Sequence, residues 1–391
     1  MKSVRSLESC SASGSSASGW EPVDPNSCSW SSSDPGRDRW PATSSGSELR
    51  RLIKDQKTSL GRKVFIPGRY NNMNLTCVVV SLQVFSQLQS VLCEASVSVH
   101  LVEVSPALSR LQAQTLTGGS SREADAEDEL VYRRGETAAG LPVSWYRRLD
   151  DVPTGFSIFI AHEFFDALPI HKFQRTEKGW REVMVDIDPE KSDQLRFVVT
   201  PSPTLASSTF VHADERRDHV EVCAEGGVIV QQLARRIVED GGAALIADYG
   251  HEGTKTDTFR GFKGHRLHDV LASPGSADLT ADVDFSYLRR TAGGGVACLG
   301  PVTQRTFLKN MGIDTRMQAL LRNCSDPSTR QQLISSYDML TNPEKMGERF
   351  HFFSLLHHSR LAKPTRATGM KLEKASPAPL PVAGFTELSF S

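Results

Sequence analysis

The chain has 391 residues, 39% of them apolar, which suffices for one large domain or two ordinary ones, and a formal net charge of -1. No Lys/Arg-rich stripe stands out, which speaks against a nucleic-acid partner. The seven cysteines are scattered with no CxxC pair, against a zinc site or a disulfide framework, and no apolar run is long enough to span a bilayer.

Residues 1–48 are rich in Ser, with several Pro and Gly, a composition that cannot bury enough surface to order itself. Lys2 and Arg5 opposed only by Glu8 give this tail a likeness to an organelle presequence, and a plain disordered tail accounts for it equally. Residues 49–75 are basic and irregular, with a turn at Pro67-Gly68. From Val84 the character changes. Val84, Leu88, Val91 and Leu92 recur at helical spacing. The run from Val97 to Glu103 is apolar and rich in β-branched residues, so it reads as a buried strand. Ser105-Pro106 supplies an N-cap and a first-turn proline for a helix whose apolar face is expected at Leu108 and Leu111.

Phe156 to Ala161 is a second buried strand, running straight into His162, Glu163 and Asp166. Lys172 to Arg175 and Trp180 to Ile187 flank Lys178-Gly179 as a β-hairpin. Ile229, Leu233 and Ile237 line a helix that stops at Gly241-Gly242, and Ala243 to Asp248 follows as a third buried strand ending in Tyr249-Gly250. Apolar strands alternating with helices predict an α/β sheet covered on both faces. Residues 363–382 read as a linker, and Val382 to Phe390 as a last strand or a docking tail.

Ligands of open α/β sheets bind beyond the carboxyl ends of the strands. Three such ends carry acids here: Glu103, Glu163 with Asp166, and Asp248. A carboxylate in the position of Glu103 can take two ribose hydroxyls, in a nicotinamide cofactor or in S-adenosylmethionine alike, or it is an ordinary solvated strand end. Glu163 and Asp166 can clamp a guanidinium, or His162 caps a helix while Asp166 pairs with a nearby cation. Gly250 and Gly253 suit a tight turn. Asp278, Asp282 and Asp284 alternate with apolar residues, as a loop lining a pocket for a basic side chain or as an acidic edge strand. There is no P-loop and no GxSxG elbow.

Val99-His-Leu-Val-Glu103-Val-Ser105, Ala161-His-Glu-Phe-Phe-Asp-Ala-Leu-Pro169, Gly179-Trp-Arg-Glu-Val183, Ala247-Asp-Tyr-Gly-His251, Asp278-Leu-Thr-Ala-Asp-Val-Asp-Phe285 and Met346-Gly-Glu-Arg-Phe350 occur in this order. From Val84 to its end the chain resembles the MidA family of methyltransferases. The resemblance implies a Rossmann-like class I S-adenosylmethionine-dependent methyltransferase sheet, with an added β-hairpin and helical elements. It implies S-adenosylmethionine as cofactor and, as in the animal members, symmetric dimethylation of arginine on a respiratory complex I subunit in the mitochondrial matrix. By position it makes Glu163 and Asp166 catalytic and Glu103, His162 and Asp248 cofactor-binding.

The chain departs from the family pattern at one place. The Gly-Pro-Gly-Arg-Gly loop that follows the first strand in the family is absent; Pro35-Gly36-Arg37 and Pro67-Gly68-Arg69 only echo it. That loop lets backbone N–H groups approach a cofactor closely, which needs residues without a Cβ. The division expected is therefore an atypical or disordered segment over 1–83, a methyltransferase-like domain over 84–362, and a linker and tail over 363–391. The N-terminal part of the core, including its central strand, is expected to be missing, leaving two strand edges bare and cofactor binding weak. The rival to an active enzyme is an inactive binding or assembly protein.

Overall fold

The structure, a computed structural model, describes residues 97–123, 130–138, 140–191, 194–361 and 382–386, and the backbone of 21–22 and 73–79. The chain divides into two compact units, the larger from residues 39–164, 229–249 and 289–391, the smaller from 1–38, 165–228 and 250–288.

The larger unit is built on a mixed sheet. Its strands run in the order Arg122–Glu123, Val131–Glu136, Pro142–Tyr146, Val97–Val102, Met73–Val79, Ser157–His162, Gly242–His251, Phe350–His357 and Val296–Thr303. Neighbours from Pro142–Tyr146 through Gly242–His251 are parallel, and the strands beyond them at both ends are antiparallel. This is the α/β sheet expected, with one correction. Met73–Val79 sits at its centre, pairing with Val97–Val102 on one edge (Leu75 opposite Val99) and with Ser157–His162 on the other (Leu75 opposite Ile158). The core therefore keeps its central strand, drawn from within residues 1–83, and those two neighbouring edges are paired. Leu75 to Val79 is a short run of apolar and β-branched residues, the composition that suits a buried parallel strand. The helix read from Val84 to Leu92 lies outside the described residues, as do the linker over 363–381 and nearly all of the Ser-rich tail.

The helix Pro106–Thr117 starts as its sequence requires, with the Ser105 hydroxyl accepting the Leu108 N–H and Pro106 in the first turn. Its buried face is not the one expected. Leu108 and Leu111 are exposed, and Ser109, Ala113 and Thr117 are buried. Small residues at i, i+4 and i+8 let the helix lie close against the core of Val97, Val99, Leu101, Val143 and Trp145. On the far side of the sheet order, Phe159, Phe353 and Leu355 are each at most 1% exposed, and each contributes roughly 2–3 kcal/mol by burial. The segment 382–386 docks as a turn rather than a strand. Phe385 meets the Phe307 ring edge-on at 5.6 Å, and any Cβ on Gly384 would collide with that ring.

The smaller unit carries a five-stranded antiparallel sheet in the order Glu21–Pro22, Leu195–Val199, Gly179–Ile187, His171–Thr176, His219–Val222. The predicted hairpin is there, closing with Thr176 opposite Gly179. Phe173, Val220 and Val222 form its core, with Trp180, Phe210 and Tyr287 packed on them. A three-stranded sheet, Arg266–His268, Arg260–Lys263 and Asp278–Thr280, completes the unit.

One buried titratable group ties the main sheet to pH. His100 is 6% exposed, between the Ser98 hydroxyl at 2.8 Å and the Tyr146 hydroxyl at 3.0 Å. Burial pushes its pKa down from 6.5 to about 4. The unfolded chain thus binds more protons than the folded one between these values. Stability is held above pH 6.5 and falls as pH drops through about 4, by on the order of 3 kcal/mol. Urea unfolding of His100→Gln across this window is expected to show a flatter pH dependence than the parent chain.

Candidate functional site

In the larger unit the chain runs outward from Met73–Val79 to Val97–Val102 and Pro142–Tyr146, then returns to the other side with Ser157–His162 and Gly242–His251. The order of strands reverses beside Met73–Val79, and ligands of such sheets bind beyond the carboxyl ends at the reversal. Glu103 and Glu163 stand just past two of those ends, whereas Asp248, expected to close its strand, lies three residues inside it, the strand running on to His251.

Glu103 is fixed from several directions. Its N–H donates to the Tyr146 carbonyl at 2.9 Å, and its carbonyl accepts the Tyr132 hydroxyl at 2.8 Å. The carboxylate accepts the Ser105 N–H on Oε1 at 2.8 Å and the Gln112 amide on Oε2 at 3.1 Å. A carboxylate oxygen has two lone pairs, so these two donors leave one acceptor position on each oxygen. That arrangement fits the vicinal hydroxyls of a ribose, and hence the nucleoside half of S-adenosylmethionine.

Asp248 is fully buried, and it faces backbone. Its Oδ2 accepts the Phe164 N–H at 3.1 Å and its Oδ1 the Tyr249 N–H at 2.9 Å. The neighbouring Ala247 carbonyl accepts the Glu163 N–H at 3.0 Å. Strand Gly242–His251 thereby pins both sides of Glu163, whose φ is +48°. A left-handed glutamate is strained, and such strain persists only where its surroundings impose it. Glu163 itself is exposed. His162 ends its strand rather than capping a helix, with its ring 5.5 Å from that of Phe350.

Asp166 belongs to the smaller unit. Its Oδ2 accepts the Thr280 hydroxyl at 2.7 Å, and its carbonyl accepts the Ala281 N–H at 2.9 Å. Of the two readings of the acidic stretch there, the edge strand is the one found, at Asp278–Thr280. Burial would raise the Asp282 pKa, but Arg260 at 2.7 Å and Lys255 at 2.8 Å outweigh it and hold the carboxyl below its usual range. Asp284 accepts from Ser286 at 2.5 Å and faces Arg217 at 3.8 Å. Arg217 forks onto Glu215 at 2.9 and 2.6 Å, pulling that carboxyl down to about 2. These acids are matched by the unit's own cations. Gly250 is no turn residue: the strand continues to His251, and any Cβ on Gly250 would collide with the Val283 carbonyl of the paired strand.

Sequence reading missed Tyr132 and Gln112, which hold Glu103, and Trp145, whose indole N–H donates to Gln112. Gln112 carries a faint signal, since it lies three residues after the buried Ser109 on one helix face. Among the described residues no group of three or more His, Cys, Asp or Glu could hold a metal ion, and no helix is long and apolar enough to cross a membrane.

Residues 76–302 match the family described as "Putative S-adenosyl-L-methionine-dependent methyltransferase". The chain is 67% identical over 307 residues to protein arginine methyltransferase NDUFAF7, mitochondrial, of Danio rerio, covering 78% of this chain and 71% of that protein. The Homo sapiens protein of the same name is 59% identical over 309 residues, covering 79% and 69%. A Burkholderia thailandensis protein crystallised with S-adenosyl-homocysteine superposes with a TM-score of 0.56 at 23% identity, over 73% of this chain and 72% of that one. A native crystal structure from the same organism gives 0.58 at 20% identity, over 87% and 88%. At these identities the two structures speak for the fold alone.

The pinned turn makes an opposed pair of predictions, both read by urea unfolding. Glu163→Gly relieves the left-handed strain and is expected to stabilise the chain by about 1 kcal/mol. Asp248→Asn turns an amide toward a buried N–H and is expected to cost about 2 kcal/mol. A neutral Glu163→Gly would mean that the turn stores no strain.

Proposed function

We propose that this chain, which belongs to the S-adenosyl-L-methionine-dependent methyltransferase family, methylates arginine side chains of a protein substrate. The observation that carries the proposal is the held pair of carboxylates at the sheet's reversal: Glu103, poised for a diol, and Glu163, presented in a strained turn. The relatives' printed names support arginine as the target and the mitochondrion as the compartment. The family resemblance supports symmetric dimethylation, a role in complex I assembly with a complex I subunit as substrate, and the matrix as location.

In this reading Glu103 holds the cofactor by its ribose. When bound, S-adenosylmethionine supplies an electrophilic methyl group on a sulfonium. Glu163 accepts N–H bonds from the substrate guanidinium, fixes the orientation of the nitrogen to be methylated, and tolerates the positive charge. The resemblance also makes Asp166 catalytic; within the smaller unit one of its oxygens accepts the Thr280 hydroxyl. His162 is assigned to the cofactor side, against Phe350. Asp248 is also assigned to that side, acting there by bracing the turn rather than through an exposed carboxylate.

The second reading, an inactive docking protein, is favoured by one feature. No glycine occurs between Gly68 and Gly118, so whatever follows the central strand offers no Cβ-free backbone to a cofactor. Calorimetry with S-adenosylmethionine separates the two readings. The enzyme reading expects binding that Glu103→Ala weakens at least about 30-fold, the cost of losing two hydrogen bonds to a charged acceptor. Absence of binding in both chains would leave the docking protein.

A kinetic test applies to Glu163. Glu163→Gln is expected to lower kcat roughly 100-fold on an arginine-containing protein substrate, while leaving affinity for S-adenosyl-homocysteine unchanged. An unchanged kcat would remove Glu163 from the chemistry.

A further inference from the structure

The geometry points to Gln112 and Trp145 as positioning residues that set the plane of the Glu103 carboxylate and so confer selectivity for a ribosyl over a deoxyribosyl cofactor; this rests on the assignment of Glu103 to the ribose. Trp145 is fully buried on strand Pro142–Tyr146, opposite Leu101 in the register. Its indole N–H donates to the Gln112 Oε1 at 3.0 Å. The other end of the same amide donates from Nε2 to the Glu103 Oε2 at 3.1 Å.

The direction of this relay follows from chemistry. An indole nitrogen can only donate, so the amide atom facing Trp145 has to be the oxygen. The NH2 group is then forced toward Glu103, where a carboxylate can only accept. Reversing the amide would set donor against donor at one end and acceptor against acceptor at the other. The amide thus has one satisfied orientation, dictated by an immobile core side chain.

The second oxygen of Glu103 is fixed independently, by the Ser105 N–H at the mouth of helix Pro106–Thr117. Two donors on opposite oxygens stop rotation of the carboxylate about its last bond. A planar acceptor pair locked in this way suits two adjacent hydroxyls, whereas a freely rotating carboxylate would serve a single hydroxyl nearly as well. Precise placement of hydrogen-bonding groups is what lets a site reject an analogue lacking one hydroxyl. Trp145 has no exposed surface and reaches Glu103 through the Gln112 amide, so the relay acts through the carboxylate.

The test is calorimetry of the full chain with S-adenosyl-homocysteine and with its 2′-deoxy counterpart. The parent chain is expected to prefer the ribosyl form at least about tenfold. Gln112→Met keeps the shape of the side chain but removes both hydrogen bonds, and is expected to cut that preference to about threefold or less. Trp145→Phe leaves the Gln112 amide free to turn, and is expected to shift the ratio in the same direction by a smaller factor. Thermal unfolding of each variant reports folding separately, because a merely structural role would lower the unfolding midpoint and leave the ratio alone. An unchanged ratio in folded Gln112→Met, with Glu103→Gln abolishing the preference, overturns the relay while the ribose assignment stands. A preference that survives Glu103→Gln, or a parent chain that binds neither ligand, overturns the ribose assignment and the relay with it.

Discussion

A central strand in a parallel sheet must be hydrogen-bonded along both edges, because helices cover its faces and water cannot reach its backbone. Met73–Val79 meets that requirement, paired on one side with Val97–Val102 and on the other with Ser157–His162. Without it those two strands would present unpaired edges in the middle of the unit. With it, the chain can leave the centre in one direction and return in the other. That reversal brings Glu103 and the turn at Glu163 to the same end of one sheet. The positions of these two acids depend on the pairing of this strand.

Position in the sheet was legible only in part. The strands at Val97, Phe156 and Ala243 announced themselves as apolar runs, and Ser105-Pro106 announced the helix start, because each signal is local. Met73–Val79 did not, because it follows a basic, irregular stretch and its partners are remote in sequence. The burial of Ser109, Ala113 and Thr117 in place of Leu108 and Leu111 was illegible for a related reason. Where a helix must approach a sheet closely, small residues displace large ones at the contact, and hydrophobicity no longer marks the buried face. Gln112 and Trp145 are far apart in the chain, and only folding brings them to Glu103. The acidic stretch from Asp278 to Asp284 read as chemistry or edge strand alike, and the cations that settle it, Lys255, Arg260 and Arg217, come from other segments.

Glu163 shows a different relation between stability and function. A glycine in its place would adopt the same backbone at lower cost. Glutamate there requires payment elsewhere, and Asp248 and Ala247 provide it through the N–H groups on either side of the peptide. A buried carboxylate holding backbone donors is rigid, since releasing either bond would leave a charge unsatisfied in the interior. The rigid element is thus Asp248, and the exposed side chain of Glu163 is what it displays.

The two buried acids that read alike in sequence, Glu103 and Asp248, are therefore held differently. Asp248 has no exposed surface, and its two oxygens face the N–H groups of its own strand and of the turn beside it. It can organise a site without touching a ligand. Glu103 keeps 9% of its surface exposed, with one donor on each oxygen and room for one more on each. It can organise and touch at once. Both accept N–H donors, and both read in sequence as acids that close a buried strand, so neither residue type nor spacing separates them. What separates them is the residual exposure, which folding alone determines.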